Sequence, residues 1–232
     1  RIAGRTGTSN AVHTLSCALD PSKDQSYVLY SLTQERLART LLPLGGLFKE
    51  RDVRRIAREQ GFENAGKRDS QGICFVPDND FATYIEKRNG APLPEGDIVN
   101  TSGHVLGRHH GAIRYTVGQR KGLGLSFPQP MFVKELDVEK NRVVLAKAEE
   151  LFSQEVIARD INLISVESIP APLRVKARVR YRQKEQPATV LQTGPDELRV
   201  VFDQPQRAVT PGQSLVLYDG DTVVGGGKIA RK

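Results

Sequence analysis

Apolar positions in the first third of the chain recur at helical spacing, whereas from Pro92 onward they fall into brief runs of strand length separated by turn residues. Leu32, Leu37, Leu41 and Leu42 follow Ser31-Leu-Thr-Gln34, which has capping-box spacing, and Pro43 with Gly45-Gly46 breaks the pattern. The segment Lys49 to Gln60 predicts a clearer helix. It sets Val53, Ile56 and Ala57 on one face and Arg51, Arg54, Arg55 and Arg58 around the rest, with Gly61 as the C-terminal stop. A third helix is expected over Phe81 to Lys87. The opening, Arg1 to Asn10, reads as half a hairpin with turn residues at Gly4 and from Gly7 to Asn10; lacking an initiator Met, it reads as part of a longer protein.

In the later region, Gly96 to Val99 and His104 to Leu106 flank the turn Asn100-Thr-Ser-Gly103, and Met131 to Leu136 and Arg142 to Ala146 flank a second turn. Further runs follow at Glu155 to Ala158, Arg174 to Tyr181, Ala188 to Leu191, Glu197 to Phe202, Ser214 to Tyr218 and Thr222 to Lys228. Short strands at such regular intervals predict a closed antiparallel β-barrel, because closure removes exposed edges. The expected fold class is α+β: a small mixed helix/strand domain followed by a C-terminal barrel.

Composition narrows the function. Among 232 residues, 34 Lys and Arg outweigh 27 Asp and Glu, and the resulting charge of +7 favours a polyanionic partner such as nucleic acid. No apolar run reaches membrane-spanning length, and the amino terminus lacks the order of a secretory signal, so no membrane association is expected. Cys17 and Cys74 are too few for a disulfide scaffold and too far apart for a CxxC site, which points to a reducing, cytoplasmic setting.

The run Leu173 to Lys184 carries Arg or Lys at every even position from 174 to 184 and apolar or aromatic residues at odd positions from Leu173 to Tyr181. In an extended strand, six cations would share one face. That face could lie along RNA phosphates, with Tyr181 as a stacking surface, or it could be a solvated barrel exterior. Cys74, in Asp69-Ser-Gln-Gly-Ile-Cys-Phe75, falls at a loop-to-strand junction near Lys67 and Arg68, which would favour a thiolate. The alternative is a packed thiol between Ile73 and Phe75, and Cys17 reads the same way. Lys23-Asp-Gln-Ser-Tyr27 is a turn-prone approach to the first helix whose polar groups could also meet a base or a phosphate. The basic, glycine-rich Gly118 to Gly124 matches neither a Walker loop nor a strand-led GxGxxG, so it makes a poor nucleotide or methyl-donor site. His13, His104, His109 and His110 form no metal-ligand spacing with the cysteines, and no metal is assigned.

Taken in order, seven strings resemble the tRNA-specific 2-thiouridylases of the bacterial MnmA type over nearly the whole chain. They are Asp20 to Tyr27, Leu42 to Gly45, Val53 to Ala57, Lys67 to Phe75, Tyr115 to Gly124, Arg178 to Gln183 and Ala208 to Gln213. The resemblance implies sulfur transfer to C2 of the wobble uridine in tRNA, after ATP with Mg2+ adenylates the C2 oxygen, with a cysteine persulfide delivering the sulfur. It puts that persulfide on Cys74, which a cysteine desulfurase or a persulfide relay protein would load. It puts tRNA contacts on Lys23, Asp24, Gln25, Arg180, Tyr181 and Gln213. A monomer is expected.

The sequence departs from the family in one respect: the Ser-Gly-Gly-x-Asp-Ser loop for ATP is missing, and so are the first catalytic cysteine and its nearby Asp. Cys17 is not in the matching motif. The expected organisation is therefore a remnant of the adenylating α/β domain over residues 1–40, joined by the cysteine loop 67–77, a central domain over 41–128 and a tRNA-binding barrel over 129–232. Such a fragment would not activate uridine unaided. The competing reading is a non-catalytic RNA-binding module with a structural cysteine.

Overall fold

The computed structural model describes residues 2–5, 12–67, 69, 72–73, 75–76 and 80–231. They divide into two compact units, the first made of Arg1–Lys67, Gln154–Gln206 and Pro211–Lys232 and the second of Arg68–Ser153 and Arg207–Thr210.

In the first unit, β1 (Ile2–Arg5) pairs antiparallel with β2 (Val12–Leu15), as expected of a hairpin, but Gly4, read as a turn residue, lies within β1 opposite His13; residues 7–10 lie outside the described residues. Two short helices follow, α1 (Ser26–Leu29) and α2 (Gln34–Ala38). The cap of α2 is not the expected one. Thr33 caps the helix by accepting from the Arg36 N–H, while the Ser31 hydroxyl donates to Val28 O and the Gln34 side chain exchanges hydrogen bonds with the His13 backbone and donates to Ile164 O. Tertiary partners thus override the local capping pattern. The arginine-rich helix is present, opening with a π turn over Lys49–Val53 that continues as α3 (Arg54–Glu59). Gly61 follows it at φ 73°, a conformation glycine adopts without strain.

The second unit holds α4 (Phe81–Asn89) and a four-stranded sheet. Its strands are β3 (Gly96–Asn100), β4 (Val105–His109), β5 (Phe132–Asp137) and β6 (Arg142–Ala146), in the order β4-β3-β6-β5. The hairpin of β5 and β6 therefore does not begin the barrel, as the strand spacing suggested; β6 pairs in parallel with β3 instead. The physical reason is burial: Val133, Val143 and Leu145 are fully enclosed with Ile98 and Leu123 in one core. Leu123 anchors the glycine-rich loop from inside, and the Gln119 side chain bridges Thr116 N–H and Lys121 O. The adjacent histidines diverge. His109 is buried with Nδ1 accepting from the Gly111 N–H, whereas His110 is exposed and meets Glu95 at 2.7 Å.

The closed barrel belongs to the first unit. It consists of β7 (Phe152–Leu163), β8 (Leu173–Arg178), β9 (Gln186–Gly194), β10 (Glu197–Arg207), β11 (Ser214–Asp219) and β12 (Thr222–Ile229), in the order β10-β7-β12-β11-β8-β9. The amino-terminal segment lies directly on it. Leu15, Tyr27, Tyr30 and Leu37 share a core with Ile164, Val216, Tyr218 and Val223, while Asn162 Nδ2 donates to the carbonyls of Tyr30 and Leu32. Gly226 permits this approach, since a Cβ there would come within 2.8 Å of the Tyr30 ring and 2.3 Å of Leu215 O.

Candidate RNA-binding surface

The segment before α1 owes its shape to two buried carboxylates. Asp20 accepts from Ser22 N–H and Oγ and from the Lys49 N–H; the Ser22 hydroxyl, followed by the Lys49 amide, holds its carboxyl below the usual range. Asp24 turns inward and accepts from the Ala18 and Ser26 N–H groups and, at 2.6 Å, from Ser26 Oγ. With Asp24 buried, Lys23 and Gln25 on either side of it are exposed.

Three distant stretches converge around Tyr27. Its hydroxyl donates to Ser214 O at 2.7 Å, next to the exposed Gln213. Its ring meets that of Tyr181 edge-on at 6.0 Å, and the Tyr181 hydroxyl accepts from Gln25 Nε2 at 2.5 Å. Burial pushes the Tyr27 phenol up to about 12, and the half-buried Arg180 guanidinium opposes that shift. Lys23, Gln25, Arg180, Tyr181 and Gln213 thus all lie on segments that meet within this unit, and Asp24 supports them from beneath. Tyr27 itself was missed as an organising residue; its place in the Lys23 to Tyr27 string was the available signal.

The predicted row of six cations is not one strand face. Strand β8 ends at Arg178, so only Arg174, Lys176 and Arg178 alternate with the buried Val175 and Ala177. The chain then bends and turns, with Gln183 N–H bonded to Arg180 O. Nor does the row repel itself unopposed. Arg174 is paired with Asp203 at 2.7 Å, and Arg178 turns toward Glu185. Alternation along the sequence could not reveal Asp203, which is supplied by a different strand. Exposed charge remains at Lys176, Arg182 and Lys184.

Cys74 lies outside the described residues. Of its surroundings, Ile73 and Phe75 are exposed, the Phe75 ring packs on Tyr84 at 5.6 Å, and Val76 is buried. Cys17 packs, half-buried, against the core beneath α1; burial raises its thiol, which sits 3.6 Å from Ser26 Oγ. Among the described residues no cluster of His, Cys, Asp or Glu has the makings of a metal site, and no helix is long and apolar enough to cross a membrane.

Three family models match the chain in succession. They are the tRNA methyl transferase HUP domain over residues 3–78, the tRNA methyl transferase PRC-barrel domain over 82–147 and the aminomethyltransferase beta-barrel domain over 153–229. The tRNA-specific 2-thiouridylase MnmA of Clostridioides difficile strain 630 is 49% identical over 96% of the chain and 62% of its own length. Those of Acetivibrio thermocellus and Carboxydothermus hydrogenoformans are 49% and 47% identical over 94% and 92% of the chain, and over 60% and 58% of their own lengths. The chain therefore spans about three fifths of the length of these relatives.

Proposed function

As the chain belongs to the MnmA-type family of tRNA-specific 2-thiouridylases, we propose that it provides the tRNA-gripping and sulfur-carrying parts of an enzyme that thiolates C2 of the wobble uridine. The observation that carries this reading is the convergence around Tyr27 of Gln25, Tyr181 and Gln213, which come from three motifs far apart in sequence. Lys23 and Arg180 add positive charge for phosphates, and the Tyr181 ring, 40% exposed, offers a face on which a base can stack. Asp24 serves from within: its carboxylate is occupied by three protein donors, so its part is to hold Lys23 and Gln25 in place.

Cys74 is the proposed carrier of the sulfane sulfur, loaded by a cysteine desulfurase or a persulfide relay protein. In the transfer, the outer sulfur bonds to C2 and the C2 oxygen leaves with its activating group. The S–S bond is broken by a second thiol, which ends in disulfide linkage with Cys74 until an external dithiol reduces it. No segment of this chain carries the Ser-Gly-Gly-x-Asp-Ser loop that would take ATP, so in this reading ATP and Mg2+ are held outside these 232 residues.

The test uses the full-length enzyme. Cys74→Ser should leave tRNA affinity within about twofold while abolishing thiolation, because the thiol supplies chemistry rather than phosphate contacts. Undiminished thiolation would reject the sulfur-carrier role. Loss of folding would favour the binding module with a structural cysteine.

A further inference from the structure

The two stretches that make up this surface are also tied together from behind. Arg178, at the end of β8, is largely buried, with its side chain 16% exposed. Its guanidinium pairs with Glu185, which closes the turn between β8 and β9, and lies 3.9 Å from the Asp24 carboxylate. It also sits over the Tyr218 ring at 5.2 Å. The Tyr218 hydroxyl is 3.3 Å from Ser26 Oγ, which in turn donates to Asp24. One cation thus connects the turn bearing Arg180 and Tyr181 with the loop bearing Lys23 and Gln25. Gln183 secures the same turn on its far side by donating to the buried Gln206 at 2.6 Å.

Resting on the RNA-binding reading above, we propose that Arg178 is a positioning residue for tRNA binding: through Glu185 and Asp24 it locks the turn 179–185 and the loop 20–27 into one preorganised surface. The role differs from that of the exposed cations. Arg182 and Lys184 point to solvent and are available to phosphates, whereas Arg178 is already engaged by two carboxylates. Preorganisation strengthens binding by sparing the ordering of loops on association, without adding a phosphate contact.

The two roles predict opposite signs. Glu185→Gln removes a negative charge from beside an RNA-binding surface, so electrostatics alone predicts tighter binding. Positioning predicts weaker binding, because the amide cannot hold the guanidinium as the carboxylate does. Affinity of the 232-residue chain for an unmodified tRNA transcript with a wobble uridine would be measured across a salt series, with thermal melts of each variant alongside. The expected result is a loss of about tenfold for Glu185→Gln and for Arg178→Lys, with an unchanged salt slope. Arg182→Ala, as control, should lower the slope by about one. Unchanged or tighter binding by Glu185→Gln would overturn the positioning role, as would a slope lower by about one in Arg178→Met, which would make Arg178 a phosphate contact. If Glu185→Gln melts early, Arg178→Lys decides by affinity, unchanged or tighter binding overturning the positioning role, and Arg178→Met decides by slope. Failure of the unaltered chain to bind tRNA at all would instead defeat the RNA-binding reading, and this inference with it.

Discussion

The side-chain amide of Gln25 donates a 2.5 Å hydrogen bond to the phenolic oxygen of Tyr181, linking residues 156 positions apart across the seam between the amino-terminal segment and the barrel. Both residues are exposed, so the bond contributes little to stability and much to where the two side chains stand. Tyr181→Phe removes the acceptor and keeps the ring. It should weaken tRNA binding by about threefold, while Tyr181→Ala, which also deletes the stacking face, should cost roughly tenfold or more. Equilibrium filter binding separates the two, and equal losses would deny the hydrogen bond any part.

Two arginines on the same barrel should contribute differently to tRNA binding. Arg180→Ala should reduce the salt slope of tRNA binding by about one, the signature of one phosphate contact. Arg174→Ala should leave the slope unchanged, because Arg174 is committed to Asp203 through two hydrogen bonds of 2.7 and 2.8 Å. A salt titration of each variant provides the comparison.

Asp24 acts through the fold. Replacing it with Ala strands the Ala18 and Ser26 N–H groups beneath α1, and should destabilise the first unit by about 1–3 kcal/mol in chemical denaturation. Binding of tRNA should weaken as well, because Lys23 and Gln25 lose the carboxylate that holds their loop in place. A tighter-binding, equally stable Asp24→Ala protein would show that the side chain merely repels RNA.

High pH should loosen the seam. Burial raises the Tyr27 phenol to about 12, and burial also pushes Tyr218 up. Each folded-state value lies above the unfolded one, so the stability concerned is fully present below pH about 10. For Tyr27 it is lost between there and about 12, and for Tyr218 over a range extending higher, as the unfolded chain ionises first. For Tyr27 the loss is on the order of 2 kcal/mol. Melting temperature should fall over that interval, and less steeply in Tyr27→Phe.

Much of the barrel was legible because its strands bury alternate residues: Val175 and Ala177 against Arg174 and Lys176, and Leu198 and Val200 against Arg199. What the sequence could not reveal was pairing. Nothing local in Phe132 to Ala146 says that β6 will run parallel to β3 and leave the barrel to start at β7. The cationic run from 174 to 184 was misread for a related reason. Alternation shows which side a residue takes while the chain stays extended, but not where the strand ends or that Asp203 and Glu185 will meet its arginines. The candidate site followed the same division. The motifs marked Lys23, Gln25, Tyr181 and Gln213, but the contacts that gather them, Tyr27 to Ser214 and Gln25 to Tyr181, exist only in three dimensions.

The central claim is that tRNA lies on the surface organised by Tyr27, and photocrosslinking tests it most directly. The chain would be irradiated in complex with tRNA carrying 4-thiouridine and digested, and the peptides bearing nucleotide adducts would be identified by mass spectrometry. The account predicts adducts in the peptides that contain Lys23 to Tyr27 and Tyr181. Adducts confined to the barrel strands where Arg199 pairs with Glu155 and Arg159 with Glu197, with none at Tyr181 or the 23–27 loop, would contradict it.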